Sequence, residues 1–110
     1  MEDAVGMAWI HLALAGVAEV VFVVGMKLSR GFERPAWVAV AAVFLLTSVG
    51  LLTLVAKALP ISVAYPIWTA AGIFGSAIVG ALAFGEAMSM PKLVGLTLIV
   101  AGVASLRVAA

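Results

Sequence analysis

The chain has no cysteine and little charge, with five acidic and six basic side chains among 110 residues. Without thiols there is no disulfide framework, no thiol nucleophile and no thiolate metal site. With charged residues at 10% and hydrophobic ones at 66%, the composition lies far from the quarter-charged, half-apolar balance of soluble domains. A basic nucleic-acid surface is excluded on the same ground, and no nucleophile constellation, metal cluster or phosphate loop is visible. An enzyme is therefore not expected, and no cofactor is called for.

The long uncharged runs fill the space left by those absences. Between Asp3 and Lys27 lie 23 residues broken by one charge, Glu19; between Arg34 and Lys57 lie 22 with none; Ala58 to Gly85 adds 28 more. A spanning helix needs about 20. The last run, Leu93 to Leu106, has 14 residues, but the apolar 108–110 tail extends it and Arg107 can snorkel to the headgroups. Strands would need ten-residue alternation and closure into a barrel, and the alternation is absent. The expectation is an all-α membrane protein, residues 1–110 forming one four-helix transmembrane domain with helices at about 4–26, 35–56, 60–85 and 91–108. Glu2 and Asp3 stand where a secretory signal would carry basic residues, so the first span is expected to be retained.

Short connections make successive helices antiparallel. Lys27, Arg30, Arg34 and Lys92 then share one side of the bilayer, while Lys57 and Arg107 share the other. The four-to-two bias places the first connection in the cytoplasm, yet it is small enough to permit insertion in both orientations or beside an oppositely biased partner. One bundle of this size fills its own centre with side chains, so oligomerisation is expected. The fourth span offers Gly95, Leu98, Ile99 and Gly102 at helical spacing, and the third offers Gly72, Ser76 and Gly80; small residues let helices approach closely in lipid.

Glu19 is the one acidic residue inside a span. A carboxylate at that depth costs roughly 2.5 to 3.5 kcal/mol on insertion scales, so an ion or proton site is the default expectation, with a satisfied interhelical hydrogen bond as the alternative. Desolvation favours the protonated acid until a cation arrives, and competition of proton and cation for one carboxylate couples their movements. On Glu19's helical face lie Ala15, Gly16, Phe22 and Val23, with Gly16 leaving room beside the carboxylate. A guanidinium can pair with a carboxylate through two parallel hydrogen bonds, which a quaternary centre cannot. Tyr65 and Trp68, three residues apart on the third span, are suited to cation binding through their ring faces. Packing is the alternative for both. Trp9 and Trp37 lie at span ends and read as interfacial belt residues. His11 is about 12 Å from Glu19 along the helix and off its face, an interfacial position. Pro66 frees the Ser62 carbonyl and Gly72 follows, so the third helix is expected to be kinked or pliant, a hinge for alternating access.

These motifs carry a resemblance. Gly16-Val-Ala-Glu19, Lys27-Leu-Ser-Arg-Gly-Phe32, Leu59-Pro60 through Tyr65-Pro66-Ile-Trp68-Thr69, and Gly95 through Gly102 resemble, in order and spacing, the small multidrug resistance transporters, over nearly the whole chain. The resemblance implies a proton-coupled antiporter of small organic cations in the plasma or inner membrane. It implies a dimer of inverted subunits, identical or paired with a related chain, in which the two first-helix glutamates meet and Gly95 and Gly102 of the fourth helix hold the subunits together. Gly16, Ser48 and the basic Arg107 are similar to the guanidinium-exporting subtype, in which Ser48 would hydrogen-bond Glu19; by default Ser48 bonds the Phe44 carbonyl of its own helix. The chain departs from that subtype at Phe22, usually tryptophan, at Arg107, usually lysine, at Ala70, usually glycine, and at Pro66, usually alanine. A quaternary-ammonium exporter of the same family is the nearer alternative, and a proton-conducting or regulatory membrane subunit the more distant one.

Overall fold

The computed structural model describes residues 2–109, leaving Met1, Ala110 and the side chain of Glu2 outside the described residues. Four helices follow one another: α1 (Glu2–Leu28), α2 (Pro35–Val55), α3 (Ile61–Ala83) and α4 (Met90–Ala109). All four are long and apolar enough to cross a membrane.

The boundaries follow from local chemistry. Pro35 opens α2, where its missing N–H costs nothing and its fixed φ is already helical. Ala56 caps that helix, so α2 ends one residue before the expected 56, and Pro60 caps α3 rather than starting it. The C-terminus of α3 stops at Ala83, short of the expected 85, because Gly85 turns left-handed at φ +65 and lets the Glu86 N–H donate back to the Gly80 carbonyl at 3.0 Å. That closure spans seven residues, one more than a Schellman bond, with the left-handed glycine in the usual place just past the capping Phe84. In the first connection Arg30, Gly31 and Phe32 are all left-handed (φ 51, 66 and 72). Ser29 braces that turn: its hydroxyl donates to the Met26 carbonyl at 2.8 Å and its own carbonyl accepts from the Arg34 N–H at 3.0 Å.

Small residues set the packing. α1 lies between α2 and α3, and the buried positions along it are Ala8, Leu12, Ala15, Gly16, Ala18 and Gly25. A Cβ on Gly25 would stand 3.1 Å from the Ala41 backbone, and one on Gly16 only 2.8 Å from the Ala71 Cβ. Backbone approach of this kind replaces the hydrophobic driving force that lipid removes. Gly16 thus admits α3 to α1; its expected role of leaving space beside the carboxylate is taken by helix contact. At one end of the bundle Ala8, Leu12, Val55, Leu59 and Ala64 form a buried cluster, with Trp9 and Trp68 packed against it.

α4 is different. It lies along α3, and none of its described residues is buried in the single chain. Its last turn reaches α1, where the Arg107 guanidinium stands 4.3 Å from the centre of the Trp9 ring. Trp9 is thus half-buried, at a span end, with the Arg107 cation against its ring.

Candidate functional site

Glu19 is carried by the middle of α1 and leans against α3 at Gly72. A Cβ at residue 72 would stand 2.8 Å from Glu19 Cγ and 3.8 Å from its Cβ and Cδ, so glycine there is a seat for the glutamate stem. One carboxylate oxygen, Oε2, is buried and has no hydrogen-bond partner among the described residues. A carboxyl group in that condition is available for a proton or a cationic donor.

Ser48 lies fully buried on α2 and ties three helices together. Its hydroxyl donates to the Ala15 carbonyl of α1 at 2.7 Å and accepts from the Trp68 indole N–H of α3 at 2.8 Å. Neither expected partner is used: Ser48 bonds neither Glu19 nor Phe44. The physical reason is the close α1–α2 approach, which brings a carbonyl of the neighbouring helix within reach and gives the indole N–H an acceptor in a dry environment, where an unmet donor is expensive. Ala15 occupies the helical position that accepts from the Glu19 backbone N–H, so the Trp68–Ser48 chain ends one turn from the carboxylate. The indole is thereby fixed at its polar end, leaving its ring faces for contact. Tyr65, about half exposed, stands beside it with ring centres 5.5 Å apart and planes inclined by 44°.

Phe22 is placed elsewhere. It lines a cleft between α1 and α2, of about 360 Å³, with Met26, Phe32, Val38 and Leu45. Although three residues from Glu19, it faces α2, whereas the glutamate stem faces Gly72 on α3. Pro66 lies inside a continuous α3, which the chain completes without a break.

The α4 residues divide between two directions. Gly95 and Ile99 border a cleft of about 450 Å³ between α1, α3 and α4, whereas Leu98 is 68% exposed and Gly102 is exposed on the outer side. Neither Gly95 nor Gly102 has another group within 4 Å of where a Cβ would stand. At the mouth of the cleft Lys27 Nζ lies 3.7 Å from a Glu86 carboxylate oxygen and 5.8 Å from the Phe84 ring centre. Lys92 donates to the Ala87 carbonyl at 2.6 Å beside it. Glu86 is thus a part-exposed loop residue that is ion-paired.

Thr69 Oγ1 is, with Glu19 Oε2, a buried side-chain atom without a partner among the described residues. The signal in the sequence was its position: Tyr65, Thr69, Gly72 and Ser76 follow helical spacing, so they form one stripe that includes the seat of Glu19.

Comparison with known proteins agrees with this arrangement. The family described as Small Multidrug Resistance protein matches residues 7–99. A guanidinium exporter of Salmonella typhimurium is 43% identical over 106 residues, covering 94% of this chain and 99% of its own length. A guanidinium exporter of Yersinia pseudotuberculosis is 41% identical over 103 residues, with the same coverage. One of Citrobacter freundii is 41% identical over 103 residues, covering 92% and 96%. A four-span, glutamate-centred chain that matches along almost all of its length leaves one assignment: the protein is a multi-pass membrane transporter and belongs to the small multidrug resistance family.

Proposed function

We propose that this chain exports small guanidinyl cations, guanidinium or substituted guanidines, in exchange for protons at a site built on Glu19. The observation that carries the proposal is the buried, unpartnered Glu19 Oε2 at mid-span, in a chain whose full-length relatives are guanidinium exporters.

In the proton-loaded state the acid is neutral and stable in a low dielectric. A planar cation offering two parallel N–H groups replaces that proton by pairing bidentately with the carboxylate. Trp68, held by Ser48, supplies an adjacent aromatic face, and Tyr65 a second; such contacts contribute about 2 kcal/mol when desolvated. Because proton and cation use one carboxylate in turn, each crossing carries one or the other, and an inward proton gradient drives the cation outward.

The working unit is a dimer, identical or paired with a related subunit, in the inverted arrangement that the small charge bias permits. Two observations support it. No described residue of α4 is fully buried within its own chain, and its outer face carries Leu98 and Gly102, with Gly95 and Ile99 one step around the helix. Alternating access then requires α3 to take up two bends, for which Pro66 is the pliant point, with Gly72 moving against Glu19 as it does so.

Reconstitution into liposomes tests this directly. A guanidinium gradient should drive proton movement, and Glu19→Gln should abolish it. Proton leak that ignores the cation would favour a proton-conducting subunit. Transport of tetraalkylammonium far above guanidinium would replace the subtype with the quaternary-cation exporters.

A further inference from the structure

We infer that Thr69 is a specificity-determining residue of the Glu19 site, its hydroxyl accepting a hydrogen bond from the amino group of the guanidinium that the carboxylate does not reach. The inference rests on the guanidinyl-cation export proposed above and adds a residue to it.

The threonines themselves provide the contrast. Thr47, Thr53 and Thr97 donate to the carbonyl four residues back, at Val43, Val49 and Leu93, with distances of 2.8, 2.8 and 2.7 Å. That back-bond is how a helix in lipid silences a hydroxyl. Thr69 has the Tyr65 carbonyl at the same offset and does not use it, leaving Oγ1 buried and unpartnered among the described residues. Buried hydroxyls without partners are rare and costly, and one that forgoes the local solution is held ready for another group.

Its surroundings indicate which group. Thr69 follows Trp68, whose indole N–H is already committed to Ser48 at 2.8 Å. It lies one turn from Gly72, whose backbone receives the Glu19 stem, a separation of about 4.5 Å along the helix axis. Glu19 Oε2 and Thr69 Oγ1 are the two buried, unpartnered side-chain atoms of the described residues, and Thr69, one turn from the seat of Glu19, borders with Tyr65, Ile99 and Val103 a cleft of about 370 Å³ between α3 and α4. Guanidinium has three amino groups in a plane. A carboxylate engages two of them along one edge, and the third points away with N–H donors that a dry site must satisfy. A hydroxyl one turn along α3 is a suitable acceptor. A quaternary ammonium has no N–H to offer and gains nothing from it.

Thr69→Val keeps the shape and removes the hydroxyl; Thr69→Ser keeps the hydroxyl. In proteoliposomes, with proton movement followed against guanidinium concentration, Thr69→Val should raise KM for guanidinium about tenfold or more, the usual loss for a hydrogen bond to a charged group, with kcat and thermal midpoint little changed. Thr69→Ser should stay within about twofold of the wild-type chain. If valine will not fold, Thr69→Ala serves in its place. Wild-type KM in Thr69→Val, or equal impairment by valine and serine, overturns the role given to Thr69 while leaving guanidinium export standing. A wild-type chain with no guanidinium-dependent proton movement overturns the export proposal, and this inference with it.

Discussion

Gly72→Ala isolates the placement of the carboxylate from the stability of the fold. The added Cβ would stand 2.8 Å from Glu19 Cγ. Ordinary carbon contacts are about 3.5 Å or more, so Cγ must retreat by about 0.7 Å, and the carboxylate swings with it. Displacements near 1 Å at a reacting group cost on the order of 100-fold. Transport should therefore fall by about ten- to a hundredfold, with a parallel loss in guanidinium affinity, because the displaced group is the carboxylate proposed to pair with the cation. Stability should move the other way or hardly at all: alanine gains roughly 1 kcal/mol of helix propensity over glycine, and the group that yields is a flexible side chain. Gly50→Ala is the control, since nothing lies within 4 Å of its Cβ position, and it should transport normally. Guanidinium-coupled proton flux and equilibrium binding on the same purified samples give both quantities. Wild-type binding and flux in Gly72→Ala would refute the claim that Gly72 seats Glu19, and a loss of flux with unchanged binding would favour a hinge at that glycine instead.

Ser48→Ala removes both bonds that join α1, α2 and α3 and leaves the Trp68 indole donor buried without an acceptor; the thermal midpoint should fall in line with a loss of about 1 to 3 kcal/mol, and Trp68 emission should change, as thermal unfolding and fluorescence will show. Lys27→Gln breaks an ion pair whose side chains are 58% and 46% exposed; such a pair contributes about 1 kcal/mol or less and is screened by salt, so stability at high ionic strength should match the wild-type chain.

The four spans were legible because lipid imposes a single rule on long uncharged runs, and Lys27, Arg34, Lys57 and Lys92 mark where the rule stops applying. Helix ends were less so. Gly85 was visible as a residue, but whether it would end α3 early depended on the Glu86 N–H reaching back to Gly80. Glu19 was evident as a charge without company, and Tyr65 and Trp68 as aromatics at helical spacing. What one-dimensional spacing does not contain is the rotation of one helix against another. That rotation sends Phe22 toward α2, turns Gly16 into a contact with Ala71, and gives Ser48 a carbonyl on α1 in place of its own. The committed state of Ser48 and the uncommitted state of Thr69 are likewise products of tertiary packing; both are hydroxyls on apolar helices, and the sequence alone treats them alike.

The arrangement in which α1, α2 and α3 brace one another while α4 lies outside has a consequence for assembly. Glu19, Ser48, Trp68, Thr69 and Gly72 all belong to the braced three, so each subunit of the proposed dimer would bring its own half of the exchange site already assembled. Separating two subunits along α4 would leave each half intact, and mixing with a related chain would demand a matching α4 face together with a glutamate to meet Glu19. The residues that hold Glu19 and the exposed side of α4 lie on different helices, so each can change under its own selection.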